Sequence, residues 1–129
     1  NFLDGVLADP THFALPSGAQ IDLGQPVAAA PGHPVTMGVR PEHLALDPNG
    51  PIQLSVIYHE QLGADTLVHG TLKGTETPLA LRLDGTRSFV SGDVLRLGTQ
   101  TESLHIFDRD TEARLSRGFG ETAILMQAE

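Results

Sequence analysis

The side chains able to do chemistry in this chain are few and scattered. Six histidines (His12, His33, His43, His59, His69 and His105) invite metal ligation. No two of them have the H-x3-H spacing of a helix or sit in an H-E-x-x-H pattern, and there is no cysteine to complete a ligand set. His59 and Glu60 are adjacent, and neighbours on a strand point to opposite faces. No metal site is expected. Asp108-Arg109-Asp110-Thr111-Glu112 opens like a calcium loop. The glycine such a loop needs at its sixth position is Ala113 here, and its twelfth residue is Phe119 instead of Glu. A solvated charged turn is the plainer reading.

Acid–base work could fall to Glu42-His43 or His59-Glu60, but neither is joined to a serine in a nucleophile elbow. The phosphate-cradling G-x-x-x-x-G-K-[ST] loop is missing: the single lysine, Lys73, lacks a glycine-rich stretch before it. No dinucleotide fingerprint occurs either. Catalysis by these residues is not expected, and no catalytic, cofactor-binding or metal-binding residue is assigned. What remains is Gly38-Val39-Arg40-Pro41-Glu42-His43-Leu44. Pro41 biases Arg40 towards an extended conformation, so a strand ends here with two charges and a histidine gathered at its tip. That tip is either a closed strand end with a salt link of little worth or a contact surface.

The elements that must carry these residues read as β throughout. Glycine (14) and proline (9) punctuate short apolar runs, and helix signals are scarce. Alternation is clear in 19–23, 35–40, 52–58, 79–83 and 94–97. Lys73-Gly74 and Asp84-Gly85 read as hairpin turns. Leu104–Phe107 is the last convincing strand. The stretch 60–65 is a single helical turn or a tight bend, and 111–115 is a candidate turn of helix that Gly118-Phe119-Gly120 would break. Ile124-Leu125-Met126 either docks or stays loose. Many short strands at this spacing predict an all-β barrel or sandwich. The proline-bracketed segment 25–34 reads as a connector between N-terminal strands (1–24) and a main barrel (35–112), with 113–129 a tail of uncertain structure.

Composition bounds the function. The chain has 129 residues, enough for one domain or two small packed ones, and a formal charge of −8. The absence of cysteine excludes disulfides, thiolate ligands and cysteine nucleophiles. Sixteen acidic against eight basic residues oppose nucleic-acid binding, and no apolar run approaches the ~20 residues of a membrane span. Asn1 is not an initiator methionine, and the first residues lack a basic segment or long apolar run of a signal peptide. A piece of a longer or processed chain is expected.

Gly38–Leu44 is similar to the G-[VI]-R-P-E-H-[LI] signature of the C-terminal regulatory domain of ABC-transporter ATPase subunits, in the carbohydrate-importer branch that handles maltose and glycerol-3-phosphate. Asn1-Phe2-Leu3 resembles the N-F-[LI] that opens this region. Glu60-Gln61-Leu62-Gly63 with Leu67-Val68-His69, and Ser91–Val94 through Leu104–Asp108, match further short motifs in the same order, so that the resemblance spans about residues 1–112. It implies a TOBE domain: a small OB-fold-like barrel with a second, intertwined lobe built with the N-terminal strands. It implies that the ATP- and Mg-binding machinery lies in a preceding domain, so this piece is no enzyme and holds no cofactor. It further implies a cytoplasmic protein at the inner face of the membrane. Its partners would be a second copy of itself, its own ATPase domain, permease subunits through that domain and, as in some relatives, a signalling protein or small effector. Arg40, Glu42, His43, Glu60 and Gly63, at strand ends, are the candidates for inter-subunit contacts, with Gly63 equally readable as a bend. Two other readings stay open: a small-ligand module for a sugar or oxyanion, the latter disfavoured by the negative charge, and a hydrolase using Glu42-His43 or His59-Glu60. The transported solute is not legible.

Overall fold

The structure, a computed structural model, describes residues 1–115. Its strands fall into two sheets and two compact units. The first unit comprises Val39–Gln100 together with Asn1. It holds β5 (Leu44–Leu46), β6 (Ile52–Leu62), β7 (Asp65–Leu72), β8 (Pro78–Asp84) and β9 (Val94–Thr99), in the order β5-β9-β6-β7-β8, all antiparallel. The edge strands β5 and β8 touch, and a 3-10 turn at Pro41–His43 packs on β8, so the sheet curls into a small barrel. Ile52, Leu54, Val68, Leu81 and Leu97 point into it and are fully buried. Burial of each such side chain is worth about 1.5–3 kcal/mol.

One irregularity shapes the barrel's surface. Between Val56 and Tyr58 the pairing of β6 with β7 slips by one residue. Such a bulge reverses the in–out phase on one strand only. Leu54 and Val56 therefore face the core, whereas Ile57 and Tyr58 are 55% and 53% exposed in succession. Beyond the bulge β6 continues to Leu62, and Leu62 pairs with Asp65 across a two-residue loop. The ambiguous stretch 60–65 is thus a hairpin and not a helical turn.

The second unit comprises Phe2–Gly38 and the chain from Thr101 onward. Its strands are β1 (Phe2–Asp9), β2 (His12–Ala14), β3 (Gln20–Asp22), β4 (Pro34–Gly38), β10 (His105–Asp108) and β11 (Arg114–Leu115). They lie in the order β11-β10-β4-β1-β2-β3. Strict alternation on β1 buries Leu3 and Leu7 and exposes Phe2 and Asp4. Leu3, Phe13, Val35, Met37 and Ile106 complete a fully buried core on the same face.

The all-β, OB-fold-like architecture matches the sequence reading, but the division of the chain differs from the expected one. β4 and β10, expected in the main barrel of 35–112, pair with each other, and β4 pairs on its other side with β1. The segment 25–34, expected as a connector between 1–24 and the main barrel, is part of the second unit and hydrogen-bonded within it. Val27 is buried and its N–H donates to Pro10 O, while Gly32 N–H and Leu7 O, and Leu7 N–H and His33 O, exchange bonds. Proline and glycine mark where strand pairing stops and carry no information on where the backbone docks. Asp84-Gly85 is not a tight hairpin, because β8 and β9 are not neighbours and residues 85–93 carry the chain from one to the other. The expected helical turn at 111–115 is instead a turn into β11, which pairs Leu115 with Ile106. Gly118–Gly120 and Ile124–Met126 lie outside the described residues.

Candidate functional site

The five residues singled out for contacts all lie in the first unit. Arg40 is exposed and extended (φ −73°, ψ 149°), as a residue before proline should be. It precedes the 3-10 turn that carries Glu42 and His43. Arg40 and Glu42 make no ion pair among the described residues, so the expected salt link does not form. His43 is half-buried, and its Nδ1 is fully buried with no hydrogen-bond partner among the described residues. A buried, unpaired ring nitrogen costs free energy that the packing of the turn on β8 must offset.

Glu60 and Gly63 lie on the long β6–β7 hairpin. Glu60 Oε1 is 2.7 Å from His69 Nε2, a diagonal pair across the two strands. The His69 ring in turn stacks on Tyr58, centroid to centroid 4.5 Å at 14°. Gly63 opens the two-residue loop with φ +60°, and a Cβ there would meet nothing within 4 Å. Its requirement is conformational, which bears out the bend for this glycine. The loop is braced by Gln61 Nε2, which donates to both Gly63 O and Asp65 O at 2.8 Å.

The fold brings Glu42 to residues that sequence reasoning missed. Glu42, Asp65, Arg82, Asp84 and Arg87 border one open hollow of about 400 Å³, with β5 on its other side. Arg82 Nε donates to Asp65 Oδ2 at 2.8 Å, and Arg87 Nε donates to Asp84 O. Arg87 is placed by Thr66, the one fully buried polar side chain among the described residues, whose Oγ1 accepts from Arg87 N–H and lies 2.8 Å from Gly85 O. The alternation of 79–83 put Arg82 on the outer face. The β7–β8 register, which sets Arg82 opposite Leu67 and diagonal to Asp65, had no local signal.

These charged pairs are largely exposed and each contributes little to stability. Beside them on the outer face of the hairpin stand Ile57, Tyr58 and Leu62, 38–55% exposed. Exposed aromatic and aliphatic groups here lie beside both signs of charge. Among the described residues neither Glu42-His43 nor His59-Glu60 is joined to a nucleophile: His59 packs edge-on against Phe89, and Glu60 is held by His69.

The opening Asn1 also has a structural role. Its side-chain amide donates to Ala80 O and accepts from Ala80 N–H, both at 2.8 Å, so it pairs with edge strand β8 as a residue of a neighbouring strand would. No helix among the described residues is long and apolar enough to cross a membrane.

Comparison with known proteins gives matches along the described chain. The family pattern described as TOBE domain matches residues 37–107, and that described as MalK OB fold domain matches residues 1–44. The chain is 38% identical over 125 residues to the sn-glycerol-3-phosphate import ATP-binding protein UgpC of Ruegeria sp. (strain TM1040), covering 89% of this chain and 35% of that one. It is 37% identical over 117 residues to UgpC of Ruegeria pomeroyi, covering 90% and 32%. It is 36% identical over 118 residues to UgpC of Salmonella choleraesuis, covering 89% and 33%. The chain spans about a third of the length of these curated relatives.

Proposed function

The chain belongs to the TOBE domain family, and on that premise we propose that it is the C-terminal regulatory and dimerisation domain of the ATP-binding subunit of a sugar-type ABC importer. In this reading two copies pair and tether two ATPase subunits while these open and close through the nucleotide cycle. A tether keeps each ATPase domain at high effective concentration for the other, so the two re-form their sandwich quickly after hydrolysis. A pair of identical copies makes an isologous contact, in which one patch meets its own image. The observation that supports the contact surface is the outer face of the β6–β7 hairpin. It combines the exposed Ile57, Tyr58 and Leu62 with the Glu60–His69 and Asp65–Arg82 pairs, so the apolar groups stand beside charges already matched within the chain.

ATP and Mg would be held by a domain preceding Asn1, and the permease subunits would be met through that domain. The chain itself has no phosphate-cradling loop. Glycerol-3-phosphate is the solute named for the relatives, and a phosphorylated polyol is the solute class we propose for the whole importer. The protein would then sit at the cytoplasmic face of the inner membrane, held there by the complex.

The encoding gene tests this reading. Upstream of Asn1 and in frame, it is expected to encode a G-x-x-x-x-G-K-[ST] loop followed by an ABC signature. A stop codon, or an initiator methionine directly before Asn1, would overturn it and leave the barrel to act alone.

A further inference from the structure

The second unit carries a feature that pairing of the first does not use. On the outer face of its six-stranded sheet lies an open hollow of about 540 Å³. Its floor is aromatic. Phe2 on β1 and Phe107 on β10 reach towards each other across β4, with ring centroids 6.2 Å apart at 63°. They can do so because the residue between them is Gly38, where a Cβ would come within 3.3 Å of both rings. Phe2 is left 67% exposed, an unusual position for a phenylalanine held in the middle of a sheet.

The walls are polar, and their charges are not equally occupied. The Asp108 carboxylate is taken up by His33 Nε2 at 2.6 Å and by the N–H groups of Asp110 and Thr111. Arg109 donates to Gly5 O and Val35 O. Asp4 accepts from Thr36 Oγ1 and is 4.0 Å from Arg109. Glu112 is different: its carboxylate has no hydrogen bond or ion pair among the described residues. It also sits at φ +61°, the only such non-glycine residue described, in a turn where glycine would be free of strain. The unit as a whole is acidic. Among the described residues it holds seven carboxylates against two arginines, while the first unit holds seven against five basic residues. Exposed ring faces attract cations, and a surplus of carboxylates raises the local concentration of positive ligands.

We infer that the hollow formed by Phe2, Gly38 and Phe107, with Glu112 at its rim, binds an organic cation, an ammonium or guanidinium group on an apolar stem. The stem lies along the rings and the charge meets the ring face and the unpaired carboxylate. A neutral sugar would use the rings but not the unpaired charge, and an anion would be repelled. The cation belongs either to a free amine or to an Arg or Lys side chain of a protein partner. The inference does not depend on the pairing proposed for the first unit.

The test is an NMR titration of the ¹⁵N-labelled chain at low salt with three probes. These are agmatine, the peptide acetyl-Gly-Arg-Gly-amide, and the same peptide with neutral citrulline replacing Arg. The expected result is saturable shifts centred on Phe2, Gly38, Phe107 and Glu112 with agmatine or the Arg peptide, and none with the citrulline peptide. Binding by agmatine alone assigns the site to a free amine, and binding by the Arg peptide alone assigns it to a protein side chain. Phe2→Leu, which keeps the apolar bulk and removes the ring, should weaken binding by about threefold to fivefold. Glu112→Gly should weaken it to a similar extent while raising Tm, since it relieves the strained turn; loss of binding in that variant is then not loss of fold. The inference is overturned if neither cationic probe shifts these residues, if citrulline binds as well as arginine, or if both variants bind like the parent chain.

Discussion

The two units use the same material, antiparallel strands with alternating burial, to opposite ends. The first is built from one continuous stretch, 39–100, with Asn1 added; the second is assembled from both ends of the chain, with β4 and β10 pairing although residues 39–104 separate them in the sequence. The first is nearly balanced in charge and exposes Leu46, Ile57, Tyr58, Leu62, Val90 and Val94. The second is strongly acidic, and Phe2 and Val6 are its exposed large apolar residues among those described. A neutral surface with aliphatic and aromatic groups can meet a copy of itself, because like charges do not oppose the contact. An acidic surface cannot do so cheaply and is better matched to a cation. Sequence continuity also differs in kind: the first unit's contacts are more local, whereas β4–β10 pairing must close a loop of more than sixty residues, spanning 39–104.

That contrast can be broken most severely in the cores. Phe13→Ala in the second unit should cost about 3–5 kcal/mol, and Leu81→Ala in the first about 2–5 kcal/mol, read by urea denaturation followed by circular dichroism. A polypeptide of residues 39–100 is expected to keep a β-rich spectrum, since its strands pair without the chain ends. If it is unstructured while Phe13→Ala also melts the first unit, the two units are not separate packing entities and the comparison fails.

Gly38→Ala is the next largest perturbation. A methyl group between the Phe2 and Phe107 rings must push them apart, at a cost of about 1–3 kcal/mol, with the change in aromatic proton shifts confined to the second unit. Shifts spreading through the first unit would blur the distinction. Smaller again is Glu60→Gln, which weakens an exposed pair with His69 and should change stability by less than about 1 kcal/mol. A larger loss would mean that the Tyr58–His69 stack depends on that charge.

The smallest effect is one of pH. In the second unit, hydrogen bonding to Asp9 raises the His12 pKa, and hydrogen bonding to His12 and Thr11 lowers that of Asp9. A raised histidine stabilises below its unfolded pKa, and this is lost as pH rises through the folded value. A lowered carboxylate stabilises above its unfolded pKa, and this is lost as pH falls through the folded value. The pair therefore helps most between about pH 4 and 6.5. Both groups are exposed, so Asp9→Asn should flatten the Tm profile there only slightly.

Much of this was legible before the structure. Alternation placed the strands 19–23, 52–58 and 79–83, and Pro41 fixed the extended Arg40, because those signals act within a few residues. The bulge at Val56–Tyr58 was not legible: the residues read as one smooth strand, and only the partner β7 reveals the slip. Nor was the docking of 25–34, since a proline-rich segment is recognised by the pairing it lacks. Of the candidate contact residues, Gly63 announced its bend through its type alone. His43 gave no hint that its Nδ1 would be buried and unpaired. Asp65, Arg82 and Arg87 join Glu42 through strand register and the Thr66 clamp, both of them long-range facts. By sequence Glu112 is part of a solvated charged turn, and its positive φ breaks the usual residue preference for such a turn.

The claim that the first unit is the self-pairing surface is tested most directly by sedimentation equilibrium of the chain up to about 1 mM, alongside an Ile57→Asp variant. The account predicts reversible dimers in the parent chain and monomers in the variant, with the spectrum of the fold unchanged, because a carboxylate at an exposed site disturbs the contact and not the core. A parent chain that stays monomeric throughout, or an Ile57→Asp variant that dimerises as well as the parent, would contradict it.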